Sequence, residues 1–240
     1  MSNLKSDISL PTPVGASATS SPPPGNQEMS TAPAPEMPPT STTTPGFRPY
    51  RVTLERYHRM IATGVYTEKD PVVLWNGQLV EKMTKGQPHN NAVARLARAL
   101  FRIVPDGWHV RQEQPIVLSD DSEPEPDLTV IRGAIDDYPD RPPLAHDVVL
   151  LIEAADSSLP LDSGEVLETY AKNAIPCYWL VNLPDRRIEV YSKPEGARFT
   201  VREVFGPDDT VPVILDGREV GRVAVRDVLP SSHREPLPDV

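Results

Sequence analysis

The sequence predicts an α/β (α+β) domain, a central mixed β-sheet flanked by helices. Three observations carry this. Apolar runs of strand length recur in the second half, such as Val148–Ile152 and the core of PCYWLVNL. Helical periodicity marks LERYHRMIATG and the stretch from about Pro88 to Val104. Turn signals separate the rest, among them Asn76-Gly77 and Asp216-Gly217. Strands interleaved with helices imply a sheet covered by helices.

Each element follows in order. Thr53 is a suitable N-cap for a helix whose Leu54, Tyr57, Met60 and Ile61 share one face, and Gly64 ends it. VVLWNGQLVEKM reads as a hairpin turning at Asn76-Gly77. The next helix buries Ala92, Leu96, Ala99, Leu100 and Ile103, while Arg95, Arg98 and Arg102 fall on another side. Those arginines either form a solvated face or point at phosphate. WHVRQEQPIVLS, DLTVIRG and HDVVLLIEAA read as strands, the last continuous enough to be covered on both faces. PLDSGEVLETYAKNA reads as a helix leading to PCYWLVNL, which pairs with RRIEVYSKP across Asn182–Arg186. Short strands with turns complete the chain.

Composition divides these 240 residues unevenly. Proline is 29 of them, and eleven prolines with fifteen Ser or Thr lie in residues 1–50. Such a stretch is short of large apolar side chains and cannot offset its ordering entropy. We therefore expect a disordered leader over 1–46, a folded domain over 47–230 and a frayed tail over 231–240. A formal charge of −10, only about −1 of it before residue 49, argues against coating nucleic acid by bulk charge. The single cysteine, Cys177, excludes an intrachain disulfide and a cysteine zinc site. No apolar run reaches transmembrane length and the N-terminus lacks a signal pattern, so a cytoplasmic protein is expected.

Glycine-rich phosphate loops, a Gly-x-Ser-x-Gly elbow and a His-Glu-x-x-His helix are absent, and the five histidines are scattered. Acid at strand ends stands out instead. Asp127 opens a hydrophobic strand after EPEP, and Glu153 lies near the end of VVLLIEAADSS. A carboxylate beside an apolar interior needs a partner or a cation. Two of them on neighbouring strands would form an oxygen site for Mg²⁺ or Mn²⁺. Strand-entry turn chemistry for Asp127 and an ion pair for Glu153 are the alternatives, and spacing alone leaves both open.

GQLVEKM, PHNNAVARL, SEPEPDLTVIRG, DVVLLIEAADSSL, LETYAKNAIPCYWLVNLPDRRIEVY and VILDGREVGRVAVRDVLP, in that order, resemble the Uma family of restriction endonucleases. That family, once a domain of unknown function, lies within the PD-(D/E)xK nuclease superfamily. The resemblance runs from about Thr53 to Pro230. It implies a restriction-endonuclease-like core, extra hairpins at the C-terminal end and a Mg²⁺ (or Mn²⁺) site holding Asp127 and Glu153. It also implies endonuclease action on DNA, with His89, Arg95 and Arg98 steering phosphate, and a homodimer. Pro126 and Asp127 match the "PD" element.

Four positions depart from the pattern. Val73 and Asn76 stand where the family carries a glutamate and an aspartate. Val166 stands where it carries a lysine, with Ser163 in place of an arginine. Valine cannot supply the lost charge, so the departures imply either impaired turnover or a degenerate nuclease fold acting as a binding or scaffold protein. Lys172 lies about 240° further round the same helix. Lys82 and Lys85, near the first hairpin, have no support from spacing. Tyr170 and Trp179 read as packing residues, and Glu125 as part of a solvent-facing turn.

Overall fold

The computed structural model describes residues 48–67 and 69–230; the expected leader and tail lie outside the described residues. The elements are α1 (Leu54–Ala62), β1 (Val72–Trp75), β2 (Gln78–Glu81), α2 (Gln87–Ile103), β3 (Trp108–Gln112) and β4 (Leu128–Arg132). They continue with β5 (Val148–Ala155), α3 (Leu159–Asp162), α4 (Glu165–Lys172), β6 (Cys177–Asn182) and β7 (Arg187–Glu195). The last are β8 (Arg198–Phe205), β9 (Thr210–Leu215), β10 (Arg218–Ala224) and α5 (Val225–Val228).

Six strands form the central sheet in the order β3-β4-β5-β6-β7-β8. All neighbours are antiparallel except β5 and β6, which run parallel and are joined through α3 and α4. The sheet is thus mixed, as expected. Alternation along its strands sorts side chains onto two faces. Leu128, Val130, Leu150, Ile152, Trp179 and Val181 meet Leu96 and Leu100 of α2 on one face, with the β9–β10 hairpin and α5 closing over them. Ile131, Leu151, Tyr178 and Leu180 meet Val166 and Tyr170 of α4 on the other. The near-continuous apolar run of β5 follows from cover on both faces.

The turn chemistry is local. Asn76 (φ 46°) and Gly77 (φ 71°) both occupy left-handed backbone, the conformation that joins β1 to β2 in a two-residue hairpin. Thr53 caps α1 as expected, accepting the Arg56 N–H. Of that helix's apolar face only Tyr57 is buried; Ile61 is exposed.

Two expectations need correction. The single helix read over PLDSGEVLETYAKNA is two, broken at Ser163-Gly164. Gly164 leaves helical backbone at ψ −103°, and a Cβ there would stand 2.9 Å from the Pro160 carbonyl oxygen. The strand read over WHVRQEQPIVLS stops at Gln112, because Glu113 turns into left-handed backbone at φ 49°. No helix among the described residues is long and apolar enough to cross a membrane.

Candidate active site

Register brings the two sequence-flagged acids together. In the antiparallel β4–β5 pair Leu128 lies opposite Ile152, so Asp127, just before β4, reaches the level of Glu153. The Asp127 N–H donates to Glu153 Oε2 at 3.1 Å, and the Ala154 N–H donates to Asp127 Oδ2 at 2.8 Å. Each carboxylate is therefore fixed by the neighbouring strand's backbone.

Asp127 is 3 % exposed. Its Oδ1 accepts from Lys85 Nζ at 2.6 Å and faces His89 Nε2 at 3.1 Å. Lys85, in the β2–α2 connection, also donates to Glu113 Oε1 at 2.7 Å. His89 lies in the first turn of α2, and its Nδ1 donates to the Ala154 carbonyl at 2.7 Å. A carbonyl only accepts, so Nδ1 carries hydrogen, and the carboxylate beside Nε2 favours a second proton.

The electrostatics agree with this geometry. Burial pushes the His89 imidazolium down, but the hydrogen bond and charge of Asp127 outweigh it and its pKa lies above the usual value. Burial likewise pushes Lys85 down, and the Asp127 and Glu113 carboxylates outweigh it, so its pKa is raised. Burial pushes the Asp127 carboxyl up, but His89 and Lys85 hold it below the ordinary carboxylate value.

Glu153 is the opposite case. Burial drives its carboxyl well up, and the Asp127 and Asp162 charges add to the push. The Tyr170 hydroxyl, donating to Glu153 Oε1 at 2.7 Å, acts against it without prevailing. Asp162, at the end of α3, is pushed up to about 6 by burial against the pull of Ser158 Oγ, which donates to it at 2.5 Å. Three carboxylates thus crowd one patch, and two of them resist ionisation.

This patch opens into a cleft of about 910 Å³, lined by eight Asp or Glu residues and two lysines, Lys82 and Lys85. Lys82 is paired with Glu125, which is also in the lining. Val73 and Val166, at two of the departing positions, contribute apolar wall together with Trp75 and Met83.

The donor set suits a hard divalent cation. Asp127 and Glu153 are oxygen donors, and the crowding at Glu153 and Asp162 is a charge imbalance that such a cation relieves. Among the described residues no three His, Cys, Asp or Glu side chains already form a ligand group. A cation here would draw on two carboxylates and on water or substrate oxygens, which is the habit of Mg²⁺.

Asp127, Glu153 and His89 of the sequence-predicted set are brought together; Arg95 and Arg98 are not in the cleft lining. They stand about 9 and about 13 Å further along the α2 axis than His89 at 1.5 Å per residue. Arg95 Nη1 instead donates to the Leu229 carbonyl at 2.6 Å, and Arg98 is exposed. Lys172 pairs with Glu168 on the surface of α4. Sequence reasoning passed over Asp162 and found no support for Lys85, and it took Tyr170 for packing alone. Tyr170 is packed, at 1 % exposure, and its hydroxyl also holds Glu153.

Residues 54–226 match a family model, Uma2, described as "Putative restriction endonuclease". Among solved structures the chain is similar to a protein from Anabaena variabilis ATCC 29413, described as a "putative nuclease belonging to DUF820". The TM-score is 0.55 at 17 % identity, covering 74 % of this chain and 97 % of that one, which speaks for a shared fold. No curated protein matches. The family model covers most of the chain, including both acids and their cleft, and the chain belongs to the Uma2 family of restriction-endonuclease-like nucleases.

Proposed function

We propose that this chain is a Mg²⁺- or Mn²⁺-dependent endonuclease that hydrolyses DNA phosphodiester bonds. One observation carries the reading: Asp127 and Glu153, locked side by side by the β4–β5 register, in a cleft large enough for a sugar-phosphate segment. Asp127 and Glu153 would hold the metal, which supplies Lewis acidity toward phosphate and lowers the pKa of a bound water. Hydrolysis forms one P–O bond from water and breaks the ester P–O bond; the water's proton goes to solvent and the leaving oxygen takes one up. His89 fixes Asp127 through Oδ1 and the β5 backbone through Ala154, and so keeps the carboxylate aimed. The same reading places the protein in the cytoplasm and pairs two copies, one cleft for each strand.

Plasmid nicking in Mg²⁺ or Mn²⁺ tests the proposal. Wild-type protein nicks, and Asp127→Ala does not. Nicking that survives Asp127→Ala refutes the site assignment. A second reading, a binding protein on a degenerate nuclease fold, draws on Val73 and Val166, which give the cleft apolar wall at the departing positions. Calorimetric titration with Mn²⁺ separates the two, since the degenerate fold binds no metal at Asp127 and Glu153.

A further inference from the structure

We propose that Lys85 is the catalytic lysine of this cleft, carried on the β2–α2 connection and donating to a non-bridging phosphate oxygen of a bound phosphodiester. This rests on the nuclease reading above and concerns a residue of this chain that no motif singles out.

Four observations support it. Phosphoryl transfer concentrates negative charge on the non-bridging oxygens, and a preorganised cation there lowers the barrier. The cleft has two ammonium groups to offer among its lining residues. Lys82 is held by Glu125, whereas Lys85 lies directly on Asp127, with Nζ 2.6 Å from Oδ1. Finally, the Lys85 side chain is 32 % exposed while Asp127 beneath it is 4 % exposed, so the ammonium lies between the buried carboxylate and the open cleft. Val166, on α4 and also in the lining, has no charge to give.

Geometry also defines how Lys85 behaves when a cation arrives. Asp127 Oδ2 is taken by the Ala154 N–H, and Oδ1 is shared by Lys85 Nζ and His89 Nε2. Asp127 would hold a divalent ion partly through Oδ1, where the ion would compete with the ammonium. Lys85 Nζ, still tethered by Glu113, would then have a hydrogen bond free for a phosphate oxygen. Lys85 moves no proton in this role; it supplies charge and hydrogen bonds.

The role predicts opposite effects on binding and rate. Lys85→Ala removes one of the two groups that face Oδ1 and leaves His89 in place, so Mn²⁺ affinity by calorimetry is unchanged or tighter by roughly two- to fivefold, as expected for a partly exposed ion pair. The same variant loses about 10²–10³-fold in kcat for nicking, with little change in KM. Lys85→Arg recovers a measurable part of the loss, and adding Val166→Lys to Lys85→Ala restores nicking from α4. Circular dichroism melting checks that the variants are folded. Unchanged kcat in folded Lys85→Ala overturns the proposal. Loss of Mn²⁺ binding together with activity also overturns it, because Lys85 is then only a brace for Asp127. In either case, if Asp127→Ala still abolishes nicking, the nuclease reading stands without the lysine. Wild-type protein that nicks nothing overturns both.

Discussion

Asp162 offers a quantitative test of the charge crowding in the cleft. Its carboxyl lies at about 6 in the folded protein against an ordinary 3.8, driven first by burial and then by Asp127. Between these values the folded chain binds more protons than the unfolded chain, so stability falls as pH rises through the window. The gap of about two pH units corresponds to about 3 kcal/mol at 1.36 kcal/mol per unit. Asp162→Asn removes the ionisation and keeps an oxygen for the Ser158 hydroxyl. We therefore expect the variant to match wild type near pH 3.5 and to exceed it by up to about 3 kcal/mol above pH 7. Urea unfolding with EDTA at several pH values measures this, the midpoint shift being read at constant slope. Because a divalent cation relieves the same crowding, Mg²⁺ stabilises wild type more than the variant. A stability difference that is flat with pH, or a destabilised variant at pH 7.5, refutes the reasoning.

Three further outcomes follow from the geometry. Tyr170→Phe strips one hydrogen bond from Glu153, lets protons compete better for that carboxylate and weakens Mn²⁺ binding about tenfold at pH 7, less at pH 8.5, as calorimetry at both pH values would show. Glu189, buried, accepts from Tyr191, Arg187, Arg202 and Asn182; burial pushes its carboxyl up but these bonds prevail and hold it at about 2. Its stabilisation is present above the ordinary 4.5 and lost as pH falls toward 2, so Glu189→Gln costs about 2 kcal/mol at pH 7 and progressively less toward pH 2.5 by urea unfolding. DNA binding measured by anisotropy with Ca²⁺ present has a log–log slope against NaCl no steeper than about −2, because two lysines serve the cleft.

How much of this was legible in the sequence depends on the range of the interaction. The Asn76-Gly77 hairpin, the Thr53 cap and the continuous apolar run of β5 are read within a few residues, and all stand as expected. Asp127 and Glu153 were visible because a carboxylate at the edge of an apolar run is conspicuous locally. Their adjacency depends on the β4–β5 register, which is set by which apolar side chains must face which layer. The helix break at Gly164 carried a signal, a glycine in mid-pattern, but its cause is the Pro160 carbonyl brought close by α3. Lys85 carried none: its contacts lie 28 and 42 residues away along the chain, in a connection without periodicity.

The chain's acidity and its assignment as a nuclease are compatible only if charge is sorted by depth. At the base of the cleft Asp127 stays ionised because His89 and Lys85 face it, while Glu153 and Asp162 beside it are driven toward the neutral form. The eight acids that line the cleft as a whole disfavour a phosphodiester and favour a small divalent cation. On the metal-dependent reading proposed above, a cation held by Asp127 and Glu153 would leave Lys85 as surplus positive charge facing the cleft. That proposal predicts an order of binding, cation first and phosphodiester second. A cleft lined with arginine would bind DNA in either order. Under the same proposal the acidic lining would make substrate engagement conditional on metal, and the lysine on Asp127 is the group whose contacts would change when the condition is met.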